Sequence, residues 1–453
     1  MQGIQGALWV GCLVLGQAAD PPSVAPSNEK TTDSRSSAPG DPSGTADPLT
    51  DDDRQPSRRP AWIHPPPATG TGSPASDATR LRWQPEPPPP DDAPPRRKKK
   101  KKKKDWKIGY DDGLFIKSPD RSFKLELTGQ LQVRATGNRR VEDDGDQDFR
   151  STVEFRRAKL KASGHIFGSW LDYSVSVGRD RHDGQGELQS AWGRVQITKD
   201  LSLRIGRFRP PLLREESVST KRQLAAERSV IATAFRQDRT GAAELVYRNK
   251  KFRFRGAFFQ FTDDLFEDEA WFVSARAEAL LKGKWKRLRD FTSFPGKKPV
   301  VAVGAGILFG IEDRDDAVAT DTKLLRWTVD LSVELGGANA FAAIIGNHID
   351  DEGLPSIDQY GVVVQGGFFL VKGLELFTRY EHGDAGSAAP NLQTITGGFN
   401  AYFNEHRVKL TMDVGYGLNE VTDFWSSSAT GWRTDDAGQN GQIVVRGQLQ
   451  VLF

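Results

Sequence analysis

Lys124-Leu125-Glu126-Leu127-Thr128-Gly129-Gln130-Leu131-Gln132-Val133-Arg134 is the stretch that decides the fold. Successive side chains of an extended strand point to opposite faces. Leu125, Leu127, Leu131 and Val133 therefore share one side. Lys124, Glu126, Thr128, Gln130, Gln132 and Arg134 share the other. Arg326–Leu335 repeats the alternation. So does the C-terminal segment, with Ile443, Val445, Leu449, Val451 and Phe453 set against Gln442, Arg446, Gln448 and Gln450. Each such run extends over about ten residues, the length a tilted strand needs to cross a bilayer.

The same alternation marks sixteen strands: 122–136, 149–164, 170–180, 187–198, 201–209, 240–248, 251–261, 269–281, 299–311, 323–336, 338–348, 358–370, 373–382, 391–403, 406–417 and 440–453. Tight connections, such as Thr198-Lys199-Asp200, Arg248-Asn249-Lys250 and Gly336-Gly337, alternate with long polar loops at 137–148, 210–239, 311–322, 349–357 and 418–439. Short turns at one rim and long loops at the other are the pattern of an outer-membrane barrel. One turn, 282–298, is long and basic where a short one is expected. An open sheet of this size would leave two unpaired edges, which lipid penalises at several kcal/mol per group, so the sheet is expected to close. The expectation is an all-β, 16-stranded antiparallel transmembrane β-barrel with an aqueous lumen.

Composition agrees. The chain has 453 residues, 63 Lys plus Arg against 60 Asp plus Glu, and one cysteine, Cys12. Nineteen of its 26 prolines lie between Pro21 and Pro95, which separates a Pro-rich arm from a Pro-poor body at 106–453. The body's seven prolines fall in connections or at a strand start, as a hydrogen-bonded sheet requires. The mean hydropathy of -0.55 does not argue against a membrane barrel, in which only alternate strand residues are apolar. Residues 1–18 hold an apolar run, Ala7–Gly16, followed by small residues. They are expected to be a signal peptide, although no Lys or Arg precedes the run; lipidation at Cys12 is the alternative. Residues 19–105 have too few aliphatic side chains to offset chain entropy and are expected to be disordered. This arm ends in Arg96-Arg97 and seven lysines, Lys98–Lys104. Its partner is expected to be anionic lipid or cell wall, with a solvated spacer as the plainer reading. Nucleic acid is not expected, because no aromatic residues interleave with the lysines.

Arg204-Ile205-Gly206-Arg207-Phe208-Arg209-Pro210-Pro211 resembles the phosphate-selective porin O and P family, which carries a Gly, Phe, Pro-Pro pattern at a strand end before the loop that narrows the pore. Phe155-Arg156-Arg157-Ala158-Lys159-Leu160-Lys161, followed by Gly164 and Trp170-Leu171-Asp172-Tyr173, resembles it too. So does Gly398–Leu410, and Phe453 is the terminal aromatic typical of such barrels. The resemblance covers roughly 110–453. It implies an outer-membrane porin, a homotrimer, and an inward-folded loop 210–239 as the constriction. The Pro-rich arm is not a family feature.

If the non-apolar face is the lumen, it collects Arg134, Arg157, Lys159, Lys161, Arg194, Arg204, Arg253, Arg255, Arg276, Arg326, Arg379, Arg407, Lys409 and Arg446. The acids on those faces are Glu126, Asp172, Glu244, Glu278, Asp330, Glu334, Glu375 and Asp413. A cationic excess inside a low-dielectric wall concentrates anions, and Arg forks fit phosphate oxygens. The candidate anion-binding residues are Arg157, Lys159, Lys161, Arg204, Arg253, Arg255 and Arg276 from the wall, with Arg214, Arg228 and Arg236 from the loop. The loop also holds Lys221, Arg222 and Arg239, against Glu215, Glu216, Glu227 and Asp238. The plainer reading is that these cations pair with neighbouring acids and fasten the loop to the wall.

Other chemistry finds little support. Asp143, Asp144, Asp146 and Asp148 lack calcium-loop spacing, and His64, His165, His182, His348, His382 and His406 show no metal-ligand spacing. With no nucleophile motif, no enzyme activity and no cofactor are expected. The expected function is passive passage of small anions, phosphate or polyphosphate first. A weakly selective diffusion pore and a structural outer-membrane anchor are the alternatives.

Overall fold

The computed structural model describes residues 105–142, 144–179, 186–261, 270–312, 322–351 and 354–453. The expected leader and nearly all of the arm lie outside these residues. A short hairpin comes first, β1 (Lys107–Tyr110) and β2 (Leu114–Lys117). Then follow β3 (Lys124–Val141), β4 (Gln147–Ile166), β5 (Leu171–Arg179), β6 (Glu187–Gln196), β7 (Leu201–Phe208), β8 (Thr240–Arg248), β9 (Phe252–Phe261) and β10 (Ala270–Lys282). The rest are β11 (Val300–Glu312), β12 (Thr322–Glu334), β13 (Ala338–Asp351), β14 (Ile357–Val371), β15 (Leu374–Asp384), β16 (Leu392–Asn404), β17 (Val408–Gly417) and β18 (Ile443–Leu452).

Each strand from β3 to β18 pairs antiparallel with the next, and β18 returns to β3 with Leu449 opposite Val133. The sheet is thus a closed sixteen-strand barrel, and each of its strands lies at an expected place. The closing ladder continues to the last residue, where the Phe453 amide donates to the Gly129 carbonyl. Alternation explains the wall. Leu160, Val175, Ile205, Leu245, Phe254, Val273, Ile307, Val329, Ile344, Ile395, Val414 and Leu449 are exposed on the outside. Gln132, Arg134, Ser174, Glu244, Arg276, Asp330, Gln365, Arg379, Thr411 and Arg446 point inward and are buried. Two aromatic girdles frame the apolar band: Trp271, Trp327, Tyr360, Tyr380 and Tyr416 toward the long-loop end, and Tyr247, Phe252, Phe254, Phe368, Phe403 and Phe453 toward the short-turn end.

Three features differ from expectation. The first long loop is shorter than 137–148, because the β3–β4 ladder continues to Val141 opposite Gln147. Arg139 donates to Gln147 (2.9 Å), and Arg140 pairs with Asp148 (3.5 Å), which fastens this extension. The hairpin β1–β2 is additional; four-residue strands are too short for alternation to reveal. The long turn between β10 and β11 folds inward. Its Leu288, Phe291, Thr292 and Ser293 are buried, with the Phe291 ring 4.8 Å from that of Phe341 and Thr292 Oγ1 2.8 Å from the Tyr402 hydroxyl.

Candidate functional site

The connection between β7 and β8 also folds into the lumen. Its short helical turns, Arg214–Ser217 and Val230–Ala234, hold it compact; Ser229 caps the second by accepting from the Ala232 amide at 2.8 Å. Leu212, Leu213, Val218, Leu224, Val230, Ile231 and Phe235 are buried, and they pack on a lumen wall that is itself apolar. Phe272, Leu308, Leu324, Phe341, Ile345, Val363, Phe377 and Leu392 occupy inward positions where alternation alone would place polar residues. Glycines make room: a Cβ on Gly361 would lie 2.4 Å from Ile231 Cγ2, and one on Gly383 would lie 2.4 Å from the Trp425 ring. Trp425 and Trp432, both buried, belong to the last connection, 418–442, and the Trp425 ring lies 6.2 Å from that of Phe235 in the β7–β8 loop.

Six of the expected lumen cations hold these inward segments by their backbone. Arg276 donates to the carbonyl of Leu212 (2.8 Å), Lys409 to Gln223 (3.0 Å), Arg379 to Glu227 (3.1 Å) and Arg326 to Phe235 (2.9 Å). Arg134 donates to Ala429 (2.8 Å) and Arg446 to Thr430 (2.5 Å). The tightest fastening is at Glu227, whose carboxylate receives Arg157 (2.6 Å), Arg156 (3.1 Å) and Arg134 (3.2 Å). Burial opposes its ionisation, but the three guanidiniums outweigh it and hold the carboxyl well below the usual carboxylate range. Arg276 also pairs with Asp330 at 2.8 Å, and Arg236 with Asp238 at 3.4 Å.

Among the described residues, a cavity of about 1080 Å³ opens against β3–β9, the β7–β8 loop and the β10–β11 turn. Of the candidate residues, Lys159, Lys161, Arg204, Arg214, Arg228, Arg253 and Arg255 line it; Arg157, Arg236 and Arg276 lie outside its lining. Nine further cations join them: Lys199, Arg209, Lys221, Arg222, Arg239, Arg248, Lys250, Lys286 and Arg289. Sixteen cations therefore face two lining carboxylates, Asp200 and Glu216. Several are held from behind. Glu244 receives both Arg204 (2.6 Å) and Arg255 (2.7 Å), and Glu278 receives Arg253 (2.6 Å). Glu216 receives Arg209 and Arg228. Arg204 lies over the Phe208 ring (3.7 Å) and Arg253 over Trp285 (4.8 Å), which orients the planar forks. Burial, Arg222 and Lys161 together push the Lys221 ammonium below its ordinary pKa, as expected where cations crowd.

Alternation finds only wall residues. Lys199 and Lys250 sit in tight turns, and Lys286 and Arg289 in the β10–β11 turn. The unexpected basic length of that turn was the available signal. Among the acidic residues expected in the loop 137–148, Asp143 lies outside the described residues, and Asp148 is taken up by Arg433, Arg140 and Arg150. Among the described residues no cluster of His, Cys, Asp and Glu is arranged to hold a metal.

Solved structures share the barrel at low identity, which shows the fold alone. An anion-selective porin from Comamonas acidovorans aligns with a TM-score of 0.53 at 12% identity, covering 73% of this chain and 99% of that one. The outer-membrane expressed OmpT of Vibrio cholerae aligns with a TM-score of 0.51 at 13% identity, covering 77% of this chain and 100% of that one. No curated protein matches the chain in sequence. Residues 125–269, which supply β3–β9 and the loop facing the cavity, match the family of phosphate-selective porins O and P.

Proposed function

We propose that the protein is an outer-membrane porin that passes small anions, phosphate-like oxyanions first, through the basic cavity. The observation that carries this reading is the lining: sixteen cations against two carboxylates in one cavity. A low-dielectric wall focuses that excess along the path and raises the local anion concentration. Glu244 and Glu278, outside the lining, hold the forks of Arg204, Arg255 and Arg253 from behind. Serial weak contacts conduct, whereas one tight site would trap the ion. The filter in this reading is Lys159, Lys161, Arg204, Arg253 and Arg255 from the wall with Arg214 and Arg228 from the loop. The family match and the fold shared with an anion-selective porin support it. They point to a channel rather than an enzyme. Export by the leader 1–18 and assembly as a homotrimer belong to the same proposal.

A second reading, a weakly selective diffusion pore, is favoured by the pairing of Arg204, Arg253 and Arg255 with Glu244 and Glu278. Planar-bilayer recording separates the two. The proposal expects chloride current that falls as phosphate is added. Ohmic steps that phosphate leaves unchanged would favour the weakly selective pore.

A further inference from the structure

The hairpin β1–β2 is not among the strands that close the barrel, and anion passage leaves it unexplained. β18 and the terminal Phe453 pair with β3 only between Gly129 and Arg139, so the edge at Lys124–Leu127 is left to β2. Leu114 stands opposite Leu127, and Lys117 opposite Lys124. β1 pairs in turn with β2, Ile108 opposite Ile116 and Tyr110 opposite Leu114. Directly opposed residues of an antiparallel ladder share a face. Ile108, Tyr110 and Leu114 therefore continue the outer face of the barrel at Leu127. They are 70%, 60% and 44% exposed, and Trp106 at the head of the hairpin is 56% exposed.

This face is fixed to the wall. The hairpin turn is tied to the barrel by Arg407, which pairs with Asp112. Gly113 has φ +148°, and a Cβ there would lie 2.4 Å from the Leu127 carbonyl oxygen, so the turn sits directly against β3. An apolar face held open in this way is unfavourable in water unless something covers it.

We propose that the hairpin lies in the interfacial zone of the bilayer at the short-turn end, with anionic phospholipid as its occupant. The inference rests on the membrane reading above. Two observations select lipid. The face is continuous with the outer apolar band beside Phe453, itself 52% exposed. The chain also enters the hairpin directly from Lys98–Lys104, followed by Asp105, Trp106 and Lys107. Trp and Tyr beside a lysine run form the composition that settles at anionic headgroups.

The test uses the full chain carrying Cys12→Ser and one environment-sensitive fluorophore, on Ile108→Cys or, as a barrel control, on Leu449→Cys. Each is reconstituted in vesicles of phosphatidylcholine with or without phosphatidylglycerol, and quenching by nitroxide lipid and by iodide is read. In the mixed vesicles both labels should be quenched by the lipid and protected from iodide. Replacing Lys98–Lys104 by Gln should lower quenching at 108 about twofold or more and leave 449 unchanged. A label at 108 that iodide reaches and nitroxide lipid does not, with 449 still lipid-quenched, overturns the proposal and leaves the barrel reading standing. A label at 108 shielded from both quenchers also overturns it, in favour of a protein neighbour such as a second copy. Loss of lipid quenching at 449 as well would bring down the membrane reading itself.

Discussion

On β3–β9 most of the lumen face is polar and looks into a cavity. On β10–β16 the same face carries Phe272, Leu308, Phe341, Val363 and Phe377 and is covered by folded chain. Both halves carry arginines, which do different work. Arg204, Arg253 and Arg255 are braced by carboxylates and face the cavity. On β10–β16, Arg276, Arg326 and Arg379 each give a donor to a loop carbonyl. Cation content alone therefore does not locate a filter. What separates the halves is the company each cation keeps: apolar neighbours and glycine sockets on the same face mark a wall that receives a loop.

The largest effect should come from releasing the covered half. Glu227→Gln removes the carboxylate that three buried guanidiniums share, although Arg134 keeps Glu154 at 2.6 Å, and breaking such a buried cluster costs about 3–5 kcal/mol. The expected outcome is a larger and noisier single-channel conductance, with protease cleavage appearing within 209–239. Unchanged conductance would mean that the loop is held by its apolar contacts alone. Filling a socket should have a smaller effect: Gly361→Leu displaces Ile231, an overpacking cost of about 1–3 kcal/mol, read as a lower melting temperature in detergent.

Acid should sharpen the contrast without opening the loop. The Glu227 pKa is depressed in the folded protein, so its contribution is present above the ordinary carboxylate pKa and is lost only as pH falls through the depressed value. Conductance should therefore hold steady from neutral pH down to about 4, the ordinary carboxylate value. Loop opening within that window, seen as a conductance step, would show that Glu227 is not the fastening. The smallest expected effect is that of salt. Raising the electrolyte from about 0.1 M to 1 M shortens the Debye length from about 10 Å to about 3 Å and should weaken anion preference without abolishing it.

The wall was legible in the sequence because alternation is local. Lys124–Arg134 alone shows which side faces lipid, and proline placement and turn lengths supply the strand order. The proposed filter was only partly legible. Arg157 and Arg253 sit on equivalent faces in sequence, yet one is buried on Glu227 and the other lines the cavity. That difference depends on where the β7–β8 loop lies, a contact between residues about 70 positions apart that no periodicity encodes. The inward β10–β11 turn was visible only as an anomaly of length and charge. Its aromatic anchors, Phe291 and Phe294, are distinguished from ordinary turn residues by the Phe341, Phe369 and Tyr402 rings they meet.

The most direct measurement is the zero-current potential across a bilayer in a potassium chloride gradient, for the native channel and for Arg253→Glu and Arg326→Gln. The native channel should hold its potential on the chloride side. Arg253→Glu, in the cavity half, should move it toward potassium, and Arg326→Gln, in the covered half, should leave it in place. A native potential near zero, or an equal shift from both substitutions, would contradict the assignment of anion passage to the β3–β9 side.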